Sequence, residues 1–355
     1  VNSSAQFLNP SEAARRLGVS AKALRLYEQR GLIAPVRTKA GWRTYGPVQM
    51  ARAGEIAALR HLGLSLAQIA RVLKGDRQAL EPALTAHQAV LQRQLHHLAG
   101  TIEKVSAMRT NIAAGRTPDA GELAQLIRPA PTVRIAFDLP WPWGGEEFAL
   151  SDIRALNYII GPLGSGKTRL ALAIAKALPN AAFIGLDRSA DNAMARMEAD
   201  PALKRRVDGI VAWLVEDGAT ASQALIALLV AMESSTAAML VVDMVEQGLD
   251  QASQEALSAY FKRRGPDTKP LFLMTRSSAI LDLAAVGSDE TIIFCPANHS
   301  PPICVAPYPG APGYEAVATC LASLVVRART EGVIAWRPQK QSDHLAGVHD
   351  ASGIE

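Results

Sequence analysis

Residues 157–168 read Asn-Tyr-Ile-Ile-Gly-Pro-Leu-Gly-Ser-Gly-Lys-Thr, and no other stretch limits the fold as tightly. Tyr158 to Ile160 predicts a short buried strand. Leu170, Ile174, Ala177 and Leu178 then recur at helical spacing. Between strand and helix, Gly161, Pro162, Leu163, Gly164, Ser165, Gly166, Lys167 and Thr168 fit G-x-x-x-x-G-K-[ST], the phosphate-binding loop. The residue types suit the chemistry. The glycines let the backbone approach a polyphosphate and turn N–H groups toward it, and the helix N-terminus adds partial positive charge. Lys167 is the candidate catalytic cation for the β- and γ-phosphates, and the Thr168 hydroxyl is a candidate Mg²⁺ ligand.

A chain of 355 residues accommodates two or three domains. The longest apolar run, Ala224 to Met232, is too short to span a membrane. The N-terminus has no basic-then-apolar secretion pattern, so a cytoplasmic location is expected. Three cysteines, Cys295, Cys304 and Cys320, do not make a disulfide framework. Charge is uneven. Residues 1–77 hold thirteen Lys and Arg against four Asp and Glu, a balance of +9, and the remainder carries −5. A compact segment this basic implies a polyanionic partner, most simply nucleic acid.

Within that segment, Asn9-Pro10-Ser11-Glu12 predicts a helix start, and Ala13, Ala14 and Leu17 its buried face. Ser20 caps a second helix carrying Lys22, Leu24, Arg25, Tyr27 and Arg30. The layout suits a helix-turn-helix or a plain basic helical hairpin. Val36 to Tyr45 has a hairpin's composition with Gly41 at the turn; Val48–Leu62 and Ser65–Leu73 predict two more helices.

Ala14-Arg-Arg-Leu-Gly-Val-Ser20, Leu24-Arg-Leu-Tyr-Glu28, Gly31-Leu32, Gly41-Trp-Arg-Thr-Tyr45 and Leu62-Gly-Leu-Ser-Leu-Ala-Gln-Ile69 together resemble the winged-helix domain of the mercury-resistance-regulator (MerR) family of bacterial transcription regulators. The resemblance spans about residues 7–75. It implies binding to double-stranded promoter DNA through Ser20, Lys22, Arg25 and Tyr27 of the recognition helix and Arg43 and Tyr45 of the wing. It also makes RNA polymerase a candidate partner. Leu26 stands where that family usually has a second aromatic.

Residues 80–114 predict one long helix. Leu84, Leu91, Leu98, Val105 and Ile112 repeat every seven residues, with a weaker seam of Gln88, Leu95, Ile102 and Arg109. The pattern fits a coiled coil or an amphipathic helix on its own core. Behind a MerR-type domain it resembles that family's antiparallel dimerisation helix, which implies a homodimer. No cysteine precedes Cys295, which argues against a thiolate metal sensor. Gly115 to Gly121, Pro129, Pro131 and Pro140-Trp-Pro-Trp-Gly-Gly145 read as a junction between domains.

Downstream, Ala181–Leu186, Gly209–Leu214, Ala238–Asp243, Pro270–Thr275 and Thr291–Cys295 read as strands, Ala224–Met232 as an apolar helix, and Gly313–Arg329 as a late helix. Short β-branched runs alternating with helices predict an α/β domain with a mostly parallel sheet. Asp243, at a strand's carboxyl end, is the candidate Mg²⁺-holding and catalytic acid. Asp243-Met-Val-Glu-Gln-Gly-Leu-Asp250 looks like a degraded transporter-type (ABC) ATPase segment. Met244 replaces the glutamate that positions water in that family, so slow hydrolysis is expected. In such ATPases an aromatic upstream of the loop stacks on adenine, which makes Trp143 a candidate; packing at the domain edge is the alternative. Cys295, His299 and Cys304 match no common zinc spacing. No guanine-specific Asn-Lys-x-Asp segment is present, which favours ATP.

The expected architecture is multidomain: a winged helix-turn-helix over 1–77, a coiled-coil dimerisation helix over 78–115, a linker over 116–150, a P-loop domain over 151–335 and a flexible tail over 336–355. The expected function is DNA-binding transcription regulation modulated by ATP·Mg²⁺. The alternative is an ATPase or small-molecule kinase that the N-terminal domain targets to DNA.

Overall fold

The computed structural model describes residues 7–117, 134–151, 153–264 and 268–321. Its N-terminal helices start where side chains can close the first turn. Asn9 caps helix α1 (Pro10–Leu17) by accepting from the Glu12 amide at 2.9 Å, and Glu12 accepts from the Asn9 amide at 3.2 Å. Ser20 caps α2 (Ala21–Gln29) through the Ala23 amide at 3.1 Å. A two-residue hairpin, β1 (Val36–Arg37) and β2 (Arg43–Thr44), follows. Then come α3 (Pro47–His61) and α4 (Leu66–Leu73), the latter capped by Ser65. Leu24, Tyr27, Tyr45, Ile56 and Ile69 are buried together in one small core. Helix α5 (Leu80–Ala113) runs on as a single rod of 34 residues, about 51 Å long at 1.5 Å per residue.

The C-terminal region is α/β. Hairpin β3 (Ile135–Asp138) and β4 (Glu147–Leu150) leads into β5 (Leu156–Ile160) and α6 (Lys167–Ala177). Next are β6 (Ala181–Ile184), α7 (Ala190–Ala199), α8 (Pro201–Glu216), α9 (Gln223–Glu233) and β7 (Met239–Val242). The series ends with α10 (Gln251–Arg263), β8 (Leu271–Met274), β9 (Glu290–Phe294), β10 (Ile303–Val305) and α11 (Tyr314–Cys320). Six strands form one sheet in the order β10-β9-β5-β8-β7-β6, parallel except for the β9–β10 edge pair. Every residue of β5, β7 and β8 is buried, as expected where helices cover both faces of a parallel sheet. Strand pleating divides their side chains. Tyr158 and Ile160 join a core with α8, α9 and α10, whereas Ile159 joins a second core with α6 and the β3–β4 hairpin.

Two expectations are corrected. Gly209–Leu214 is not a strand but the middle of α8. Asp200 caps that helix by accepting from the Ala202 and Leu203 amides, Pro201 occupies its first turn, and Leu203, Val207 and Leu214 bury one face. Residues 135–150 are not linker. Ile135, Leu139, Phe148 and Leu150 are buried against Leu170 and Ile174 of α6. The expected late helix is described only as α11; its remainder, the 336–355 tail, Gly121, Pro129 and Pro131 lie outside the described residues.

Phe272 lies fully buried in β8, between the sheet and α6. Phe272→Ala is expected to lower stability by about 3–5 kcal/mol, because the close-packed cavity cannot refill. Thermal unfolding of the full chain followed by circular dichroism checks this.

Candidate nucleotide site and nucleic-acid interface

The loop 161–168 leaves β5, a central strand, at the sheet's carboxyl end. Close backbone approach makes glycine necessary at two positions. A Cβ on Gly161 would lie 2.5 Å from the Cys295 carbonyl oxygen and 2.6 Å from Ser165 Oγ. Gly166 has φ +91°, and a Cβ there would lie 2.6 Å from the Trp143 ring. Lys167 is buried at the first turn of α6, and its Nζ donates to the Gly161 and Pro162 carbonyls at 2.8 and 2.6 Å. Burial lowers the Lys167 pKa, partly offset by Cys295 and Asp243. Burial also pushes the Cys295 thiol up to about 12.

Asp243 follows β7, one strand further along the sheet. Desolvation raises its pKa, against the opposing pull of Arg188 and Lys167, and the Thr168 hydroxyl hydrogen-bonds its carboxyl group. Lys167, Thr168 and Asp243 therefore share one polar cluster. Three further residues join it. Arg188, beyond the carboxyl end of β6, donates from Nη2 to the Met244 carbonyl at 3.0 Å and feels the charges of Asp243 and Glu246. Glu246 is fully buried and accepts from the Arg276 amide at 2.9 Å. Arg276 follows β8, and its charge reaches Lys167. The sequence signal for Arg188 is its place just past an apolar strand, and Thr275-Arg276 stands where transporter-type ATPases often have Thr-His. Met244 itself has φ +40°, an uncommon conformation for a residue with a side chain.

Trp143 is corrected as an adenine platform. It is 5% exposed, lies against Gly166 and donates from Nε1 to the Ser300 carbonyl at 3.1 Å. The exposed aromatic on this rim is Trp141, with the Arg169 guanidinium 5.9 Å from its ring centre. His299 reaches the loop through Gly164, whose carbonyl lies 3.0 Å from Nε2. Among the described residues, no group of three or more His, Cys, Asp or Glu side chains could hold a metal ion.

The residues singled out for DNA are also placed unequally. Arg25 is exposed on α2. Arg43 pairs with Glu28 at 3.0 Å. Ser20 is buried as a cap. Tyr27 and Tyr45 are corrected: both are buried in the domain's own core, and the Tyr45 hydroxyl donates to Glu28. Burial raises the pKa of both phenols. Lys22 faces the C-terminal region, with Nζ 3.2 Å from the Ser278 carbonyl oxygen and 3.4 Å from Glu255. Among the described residues, no helix is long and apolar enough to cross a membrane.

Comparison with known proteins agrees with the N-terminal architecture. The family described as MerR HTH family regulatory protein matches residues 8–76. A probable heavy metal-dependent transcriptional regulator of Haemophilus influenzae is 33% identical over 119 residues, which are 32% of this chain and 93% of that protein. The crystal structure of HiNmlR, a MerR family regulator lacking the sensor domain, bound to promoter DNA, is matched at 23% identity and a TM-score of 0.25, over 35% of this chain and 98% of that one. The SMC head domain from Thermotoga maritima is matched at 12% identity and a TM-score of 0.33, over 45% of this chain and 93% of that one. With a capped helix-turn-helix, a small wing and a relative covered almost end to end, the chain belongs to the MerR HTH family of transcription regulators.

Proposed function

We propose that this regulator binds promoter DNA as a homodimer and that ATP with Mg²⁺, bound at the loop 161–168, shifts its affinity for that DNA. The observation that carries the nucleotide half is the polar cluster at the sheet's carboxyl end. Asp243 Oδ1, Ser165 Oγ and Arg188 Nη1 are all buried there without a hydrogen-bond partner among the described residues. Buried polar atoms are normally satisfied, and a cation–polyphosphate pair is the chemistry that this donor and acceptor set fits. Lys167 would exchange its two backbone carbonyls for phosphate oxygens. Thr168 and Asp243 would hold Mg²⁺, which when bound neutralises polyphosphate charge. Arg188 would add positive charge near the terminal phosphate. Trp141 and Arg169 offer an exposed platform for the base.

Turnover is expected to be slow. Met244 takes the position directly after the acid, and Glu246, the nearest alternative carboxylate, is engaged with the Arg276 amide. This favours a nucleotide-responsive regulator over the alternative of an ATPase or kinase addressed to DNA. RNA polymerase is the partner through which such a regulator would act.

The test is to titrate ATP·Mg²⁺ into the parent with and without promoter DNA. Linkage requires DNA to change ATP affinity by the factor by which ATP changes DNA affinity, about 5–150-fold for a typical coupling. Lys167→Ala should lose the ATP response while keeping nucleotide-free DNA binding. Equal ATP affinities with and without DNA, in a parent that binds both, would sink the coupling.

A further inference from the structure

The N-terminal domain does not stand apart from the α/β region. It is clamped to it by charge. At the start of α4, the Asp217 carboxylate takes a two-point hydrogen bond from Arg60, Nη1 to Oδ1 at 2.7 Å and Nη2 to Oδ2 at 3.0 Å, and the Leu66 amide also donates to Oδ1 at 2.9 Å. The Asp217 side chain is only 1% exposed. Next to it, Glu216 accepts from Ser65 Oγ at 2.9 Å and pairs with Arg71 at 3.2 Å. Arg30 at the end of α2 reaches the Asp217 carbonyl at 3.4 Å. At the other end of α2, Lys22 meets Glu255 and the Ser278 carbonyl. The Arg60 and Arg263 guanidinium groups lie 5.9 and 5.1 Å from the centre of the Trp213 ring.

A helix N-terminus with an open amide, a hydroxyl and a forked guanidinium beside it is the arrangement that takes a phosphate oxygen pair. Here a carboxylate fills it. The N-terminal residues of a recognition helix are the ones that meet base edges, and in α2 that end belongs to Lys22. A duplex cannot bring its groove to Lys22 while α10 and the Ser277–Ser278 turn occupy the same side. The charge balance agrees, because residues 78–355 carry −5 against +9 on residues 1–77.

We propose that Glu216, Asp217 and Glu255 are a built-in substitute for DNA phosphates, so that the protein in this arrangement masks the Lys22 end of its recognition helix and the start of α4, leaves Arg25 exposed, and must have its α/β region displaced for DNA to dock fully. Arg60, Ser65, the Leu66 amide and Arg71 then form a phosphate-backbone site that the acidic patch occupies.

A route from the nucleotide site to the mask rests on the nucleotide reading above. Ser278 is two residues past Arg276, whose amide is held by Glu246, and Ser277 Oγ donates to Gln254 of α10 at 2.6 Å. The two elements that touch Lys22 therefore begin beside Asp243 and Glu246. A change there alters the seat of Lys22.

The experiment measures binding of the full chain to a random-sequence duplex of about thirty base pairs at low salt, where phosphate contacts dominate. The parent is compared with Glu216→Gln/Glu255→Gln and with a control of equal charge change at exposed positions elsewhere, Glu147→Gln/Glu198→Gln. Unmasking predicts that the Glu216/Glu255 pair binds at least about fivefold tighter and the control like the parent. Hydrogen exchange of the Leu66 and α2 amides should quicken in the Glu216/Glu255 pair alone. Equal tightening in both pairs, which is net charge only, or tightening in neither, overturns the proposal. Repeating the titration with ATP·Mg²⁺ separates the two readings. If ATP changes duplex affinity by the same factor in the parent and the Glu216/Glu255 pair, the route through the mask is overturned and the nucleotide reading stands. If the Glu216/Glu255 pair is unmasked but ATP leaves the parent unchanged, the mask stands and the nucleotide reading falls.

Discussion

Replacing Leu91 and Leu98 by Asp turns the protein into monomers by light scattering and removes most of its affinity for promoter DNA. That is the result expected from α5. Leu84, Leu91 and Leu98 are each more than half exposed, as are Leu95, Ile102 and Ile112. A seven-residue repeat of large apolar side chains left open to water along about 51 Å is an unfinished core, which in the proposed homodimer a second copy of the same helix would complete. Two leucines from each chain, at about 1.5 kcal/mol or more apiece, contribute at least about 6 kcal/mol to such a seam, roughly ten-thousand-fold in dissociation constant. Four buried carboxylates would add further repulsion. DNA affinity falls too, because each monomer reads only one half-site. A double variant that stays dimeric would mean that another surface holds the chains together.

Gly161→Ala is expected to abolish ATP binding, while Gly164→Ala only weakens it. The two glycines share one loop but not one environment. At Gly161 the new methyl would press on the Cys295 carbonyl at 2.5 Å, and Cys295 is bonded back to Ile160 through its amide at 2.8 Å. The methyl can fit only if β5 and β9 part at the end where the loop leaves the sheet, so both stability and the phosphate cradle are lost. At Gly164 a methyl meets nothing within 4 Å, and the cost is the strain of φ +79°, about 1 kcal/mol, or less than tenfold in affinity. Calorimetric ATP titration and thermal unfolding of both variants decide it. Gly161→Ala binding ATP like the parent would falsify the assignment of this loop as the phosphate site.

Local signals explain what could be read in advance. Asn9, Ser20 and Ser65 each cap a helix through a bond to a residue three positions on, so the helix-turn-helix is written in short segments. The loop 161–168 is likewise contiguous. Misreadings arose where distance matters. Ile210 and Val211 look like a strand until Asp200 and Pro201, ten residues earlier, are seen to start a helix that continues through them. The prolines and glycines of 140–145 suggest a linker, but the residues flanking them pack on α6. Trp143, Tyr27 and Tyr45 have functional side chains by type. Their burial depends on tertiary neighbours such as Ser300 and Glu28. Lys22 carries the right charge for DNA, and nothing nearby in sequence reveals partners more than 200 residues away.

The order of the elements along the chain gives the acidic cover a timing. Every residue of the N-terminal core lies between Leu8 and Ala83, so that domain's packing is specified early in synthesis. Strand β5 instead pairs with β8 and β9, whose residues follow more than 110 positions later. At about 5–20 residues per second, Glu216 and Asp217 reach the ribosome exit roughly seven to thirty seconds after the end of α4, and the sheet that positions them closes later still. During that interval each nascent chain presents a basic domain with no lid. If the mask operates as proposed, a newly made molecule has a brief period of higher nucleic-acid affinity than the finished one, and polysome-bound chains should be retained by immobilised duplex more strongly than released protein.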